Sequence, residues 1–216
     1  LDLTLLRSAS LRISIMGGNL FRLAVGALPF LLPLMLQLGF GLTAIESGAL
    51  TFVSALGALF MKPINARILR RYSFRTVLIV NGVLATLSLG SIGLFRADTP
   101  HLVIYAVLFL GGCLRSIQFT SLNSIAYADL TAAQMSKATS LASAAQQISL
   151  GLGVTLGATA LAVSMRLNGS DTLAAGDFPW AFLLVTLCAS LSIPVFRRLP
   201  LNAGEGMAGP VRRQDG

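Results

Sequence analysis

Charge is scarce in this sequence: 11% of its 216 residues are Asp, Glu, Lys or Arg, where a water-soluble domain carries about 25%. That shortage excludes an ordinary soluble globular domain. Histidine is scarcer still. His101 stands alone, directly after Pro100, which excludes His-based metal clusters, the H-E-x-x-H pattern and a Ser-His-Asp triad with a buried base. No acidic residue falls midway along an apolar run; Glu46 falls at the start of one, where the helix dipole favours an acid. Walker A and dinucleotide-binding glycine patterns are absent. An enzyme is therefore not expected, and neither is a cofactor or a metal. Cys113 and Cys188 both lie in apolar segments, where cysteine packs as a small hydrophobe. The chain opens at Leu1 without Met and without a charged, cleavable leader, so it reads as a fragment.

What the sequence has in abundance is apolar chain: 55% of residues are hydrophobic and the mean hydropathy is +0.79. The few charges are clustered, which leaves runs long enough to cross a bilayer, about 20 residues as helix. In lipid the backbone polar groups must be bonded internally, and helices achieve this without a partner. The expected fold class is therefore an all-α membrane protein with six transmembrane helices, at 13–38, 44–64, 76–95, 101–127, 137–164 and 178–196. Breaker residues separate them: Gly39 to Gly41, Arg96 to Pro100, and Asn168 to Asp171. A bundle over 1–198 and a disordered, Gly- and Pro-rich cytoplasmic tail over 199–216 are expected. Asn168-Gly-Ser170 also fits a glycosylation triplet, a pattern that arises often by chance.

Six spans place both ends on one side, and positive charge near span ends is retained in the cytoplasm. Arg7, Arg12, Lys62, Arg67, Arg70, Arg71, Arg75, Lys137, Arg197, Arg198, Arg212 and Arg213 fall on the side of the termini. Only Arg96 and Arg166 fall opposite. Both termini are expected in the cytoplasm and the protein in the plasma (cell inner) membrane. The net charge of +8 is thereby explained by topology and by contact with the lipid bilayer rather than by nucleic acid, because the basic run Arg67 to Arg75 sits between two spans.

Two cations remain inside spans, Arg22 and Arg115. A guanidinium there costs a few kcal/mol on insertion scales and normally faces water or a partner. Asn19, Arg22, Gly26, Phe30, Pro33 and Gln37 recur at helical spacing and form one stripe; Gly111, Arg115 and Gln118 repeat the arrangement in the fourth span. Asn19, Arg22, Phe30, Gln37, Gly111, Arg115 and Gln118 are the candidate cavity-lining residues. Both arginines fall near mid-span in helices three apart, which is compatible with an inverted three-plus-three repeat and a site at its interface. A structural role stays open for each, because Pro29 and Pro33 free backbone carbonyls that an arginine can bond. Gln146 and Gln147 read as interhelical bonding groups, and Gly153 with Gly157, extended by Ala160, reads as a close-packing face.

The stretches Leu28-Pro-Phe-Leu-Leu-Pro-Leu-Met-Leu-Gln-Leu-Gly39, Leu122-Asn-Ser-Ile-Ala-Tyr-Ala-Asp-Leu130 and Lys137-Ala-Thr-Ser-Leu-Ala-Ser-Ala-Ala-Gln-Gln147, with the basic connection Lys62 to Arg75, resemble the C-terminal half of major facilitator superfamily transporters. The resemblance is to the drug:proton antiporter branch with fourteen spans. It implies that the first and fourth helices line a central cavity. It also implies that the function is alternating-access export of drugs or small hydrophobic metabolites in exchange for protons. The proton-binding carboxylates would belong to a missing N-terminal half, the chief partner besides a small-molecule substrate. The basic motif, Arg67, Arg70, Arg71 and Arg75, is similar to the family's inner-loop motif, with Asn65, Ala66 and Leu69 where a glycine and an acidic residue are usual. Two other readings stand beside this one: an uptake carrier for an anionic solute, and a non-transporting scaffold or receptor.

Overall fold

A computed structural model describes residues 8–169, 172–200 and 203. Among them the helices are α1 (Ala9–Gly26), α2 (Leu28–Leu34), α3 (Ala44–Arg71), α4 (Phe74–Ile92), α5 (His101–Ala126), α6 (Ala132–Asn168), α7 (Phe178–Ser190) and α8 (Ser192–Phe196). A π-helical turn, Met35–Gly39, continues α2, and a 3-10 turn, Ala175–Asp177, precedes α7. Together they make six spans long and apolar enough to cross a membrane, and no strand occurs among the described residues.

Local chemistry sets the ends. Ser8 and Ser73 accept from the third helical N–H of α1 and α4, and Thr43 with Glu46 and Thr131 with Gln134 form reciprocal capping boxes. Gly41, at φ +72°, turns the chain from the first span into the second, and Gly169, at φ +66°, closes α6; these left-handed conformations favour glycine. In the first span Pro29 and Pro33 remove two ladder donors, so the helix breaks at Ala27 and ends in the π-helical turn, where the Phe40 N–H reaches the Met35 carbonyl at 3.0 Å.

The helices outrun the expected spans on the side of the termini. α3 continues past Ile64 to Arg71 and α6 starts at Ala132 rather than 137. The basic run is therefore mostly not a loop: Arg67, Arg70 and Arg71 belong to the last turns of α3, Arg75 to the first of α4, and only Tyr72 and Ser73 connect them. Ala, Leu, Ile and Arg are sound helix formers, and cations at a helix C-terminus complement its dipole. Leu199, next to the expected boundary at 198, is buried against the cluster around Phe196. Arg7, Ser170, Asp171, Arg212, Arg213 and most of 199–216 lie outside the described residues.

Packing follows one rule. The first and second spans, and the second and third, barely touch, while the second packs on the fourth and the fifth on the first. Likewise the third packs on the fourth and the sixth on the first. Exchanging each span for the one three later reproduces these pairs, although the fifth and sixth spans pack on each other where the second and third barely touch. The matched pairs are the signature of two interleaved three-helix repeats, inverted because three is odd. Glycines permit the closest crossings. A Cβ on Gly57 or Gly112 would stand 2.1 Å from the Phe109 carbonyl oxygen or 2.0 Å from that of Ser54, and one on Gly153 would stand 2.3 Å from that of Leu23. Two large apolar clusters fill the interior, with a small third around Leu11, Ala126 and Ala138. Of the large pair, one, around Phe21, Leu78, Leu122 and Phe196, lies toward the termini; the other, around Leu31, Met35, Ile104 and Phe182, lies at the opposite end.

Candidate functional site

The site is built on the face of α5 that carries Arg115, Phe119 and Asn123. Their four-residue spacing aligns them over about 12 Å of helix. Arg22 reaches this face from α1: its Nη2 donates to Asn123 Oδ1 at 2.9 Å and its guanidinium lies 5.7 Å from the Phe119 ring centroid. The Phe119 ring is itself held edge-on by Phe21 at 6.0 Å. Arg22 is 4% exposed, yet its Nε has no hydrogen-bond partner among the described residues, nor has Oδ1 of nearby Asn19. Arg115 is half-buried and its Nη2 donates to Ser54 Oγ on α3.

Each arginine folds back over a glycine one turn earlier. A Cβ on Gly18 would stand 2.8 Å from Arg22 Nη1, and one on Gly111 would stand 3.2 Å from Arg115 Nη1. Side chains on a helix lean toward its N-terminus, so Gly-x-x-x-Arg leaves room for the guanidinium to lie along its own helix. Neither arginine has a carboxylate partner among the described residues. Two uncompensated cations at membrane depth form an attractive field for an anion or a strong acceptor.

The expected stripe of the first span divides. Asn19 and Arg22 stay together, but the break at Ala27 and the π-helical turn change the register beyond them. Gly26 packs on the backbone of Leu150 in α6, Phe30 lies against Gly157, and Gln37 Nε2 turns to Ser47 Oγ of α3 at 3.4 Å. Gln118 departs furthest from its expected place. It is fully buried, accepts from Asn81 Nδ2 at 2.7 Å and donates to the Leu78 carbonyl at 3.2 Å, so it clamps α4 to α5. A second clamp joins Asn65 of α3 to Ser116 and Thr120 of α5. Gly111 and Arg115 remain side by side, and Gly153 with Gly157 packs α6 on the first span.

A sequence model of the Major Facilitator Superfamily matches residues 13–206. The chain belongs to the major facilitator superfamily. It is 33% identical to the "Probable transport protein HsrA" of Haemophilus influenzae over 195 residues, 89% of this chain and 41% of that protein. It is 32% identical over 212 residues to the "Putative multidrug resistance protein MdtD" of an Enterobacter species, with 95% of this chain and 44% of that one covered. With the MdtD of Escherichia fergusonii it shares 29% over 219 residues, 99% of this chain and 46% of the relative. The chain thus spans less than half the length of these relatives. Its family, together with six apolar spans, makes it part of a multi-pass inner-membrane protein of a transporter family rather than an enzyme.

Within this superfamily chain, sequence reasoning missed Asn123, Ser54 and Asn81. Asn123 carried a usable signal, since it falls eight residues past Arg115 on the same face. Asp177 was missed as well: it is fully buried, its Oδ1 accepts from Asn168 at 2.6 Å and its Oδ2 from the Ala174 N–H at 2.9 Å, which ties α6 to α7 at the end away from the termini. No group of three or more His, Cys, Asp and Glu able to hold a metal occurs among the described residues.

Proposed function

We propose that the bundle over 1–198 is the C-terminal half of a proton-coupled exporter of drugs or small hydrophobic metabolites, with both of its termini in the cytoplasm. The two halves rock about a midplane site in alternating access. The observation that carries the reading is the α5 face on which Arg22 and Arg115 are held at membrane depth without counter-charge. Such a face is costly unless it meets substrate, water or the other half. Phe119 beside Arg22, its ring backed by the buried Phe21, suits an apolar substrate with a polar or acceptor group. The names of the relatives, a multidrug resistance protein among them, support export. The proton-binding carboxylate is assigned to the half of the protein outside this chain.

The test is Arg115→Ala in the whole protein, with membrane level measured by immunoblot and efflux measured as drug susceptibility and as substrate accumulation in everted vesicles. Transport lost or redirected at full membrane level is the expected result; full activity removes Arg115 from the site. A second reading, uptake of an anionic solute, is favoured by the two unpaired guanidiniums. Small carboxylates compete for transport under that reading and leave an exporter of lipophilic cations unaffected.

A further inference from the structure

A second concavity lies away from this face, between α3 and α4. These helices are joined by two residues, yet they diverge at once, because α3 packs on one side of α5 and α4 on another and on α7. The gap is a cavity of about 320 Å³ walled by Ile68, Val77, Val80 and Leu84 and floored by Ile117, with Tyr72 and Thr76 at its mouth. Its volume falls at the lower end of small-ligand sites, about 300 to 1,000 Å³. Thr76 to Leu84 sets its length at about 12 Å. Asn81 is the one polar group deep in the lining, and its Nδ2 is already spent on the Leu114 carbonyl at 2.9 Å and on Gln118 Oε1. The interior therefore suits a chain of methylenes.

Two observations say what occupies it. The exposed face of α4 beyond the mouth consists of Val80, Val83, Leu84 and Leu87, from 37% to 63% exposed, a surface fit for lipid. Arg71 directly precedes Tyr72 and Arg75 directly precedes Thr76, two exposed lining residues, and Arg67 and Arg70 lie within about one turn of Arg71 on α3. None of the four guanidiniums has a hydrogen-bond or ion-pair partner among the described residues. A phosphate bearing an apolar tail matches both ends, since guanidinium forks bind phosphate oxygens bidentately.

We propose that the α3–α4 groove seats one acyl chain of an anionic phospholipid whose phosphate is held by the arginines at its mouth. This site is independent of what the protein transports. Its test is native mass spectrometry on the intact membrane protein that carries this chain. The protein is purified in detergent and offered phosphatidylglycerol and phosphatidylcholine with identical acyl chains. Wild type is expected to retain phosphatidylglycerol in preference. Arg71→Gln with Arg75→Gln is expected to lose about tenfold of that preference, and the corresponding double lysine variant, which keeps the charge without the fork, to restore only part of it. Val80→Trp, at a half-exposed position where a larger side chain fills the groove without disturbing the core, is expected to abolish retention with all four arginines present. Soluble glycerol phosphate, a headgroup without a chain, is expected not to displace the lipid. Equal retention of the two lipids by wild type overturns the proposal. So does undiminished retention by Val80→Trp, which reduces the basic run to headgroup attraction alone. Displacement by glycerol phosphate overturns it also, leaving a plain anion site.

Discussion

Two polar clusters cross the interior of this bundle, and they are built on opposite terms. Around Gln118 and Asn81 the donors meet acceptors on a facing helix, and both side chains are sealed from the surface. Around Arg22 and Asn123 a permanent cation meets one neutral acceptor and one aromatic face, an Nε and a nearby Asn19 Oδ1 stay unbonded, and Asn123 itself is exposed. The first arrangement is complete and serves assembly, since a satisfied amide pair holds two helices in register. The second is incomplete, and an incomplete polar group at membrane depth is retained for what it meets later. Satisfaction of hydrogen bonds, rather than polarity, separates glue from site.

The largest effects should come from the second cluster. Arg22→Ala or Arg115→Ala is expected to lower transport by the whole protein about ten- to a hundredfold, the value of a hydrogen bond to a charged group. Thermal stability of the purified protein should not fall, because an uncompensated cation has been removed. A fall in the unfolding midpoint together with intact transport would reverse the assignment. Gln118→Leu is the converse case: it leaves Asn81 Nδ2 with only the Leu114 carbonyl and takes the side-chain donor from the Leu78 carbonyl. It should destabilise by about 1 kcal/mol, read as a lower midpoint, while transport per folded molecule is unchanged. Asn123→Ala removes the acceptor that positions Arg22 and should weaken substrate binding by about 1 kcal/mol, visible as a raised KM. Phe119→Leu keeps the bulk but loses the ring face, worth about 0.5–1 kcal/mol. It should raise the KM least and leave membrane level intact.

Much of this was legible in advance. Six spans followed from run length and charge position, and Arg22 and Arg115 stood out because a guanidinium in an apolar run has no bland place to go. Thr131 marks the start of α6 five residues before the expected span, and α3 runs past Ile64 because the basic run that follows consists of helix formers. Phe30 and Gln37 leave the expected stripe for a physical reason. The stripe assumed an unbroken helix, whereas Pro29 and Pro33 open the ladder and the π-helical turn shifts everything after it. Gln118 bonds across two helices, and a mid-span amide looks the same in sequence whether it faces a cavity or a partner.

Hydropathy, charge and capping act on each segment through the solvent and the chain next to it, so the sequence by itself determined the number of spans, their turns and the presence of two cations at depth. Which polar atoms are satisfied depends on groups that arrive from other helices, forty or a hundred residues away, within about three ångströms. Only the interleaved packing of the two repeats decided that Gln118 meets Asn81, that Arg22 meets Asn123, and that α3 and α4 part to leave a groove.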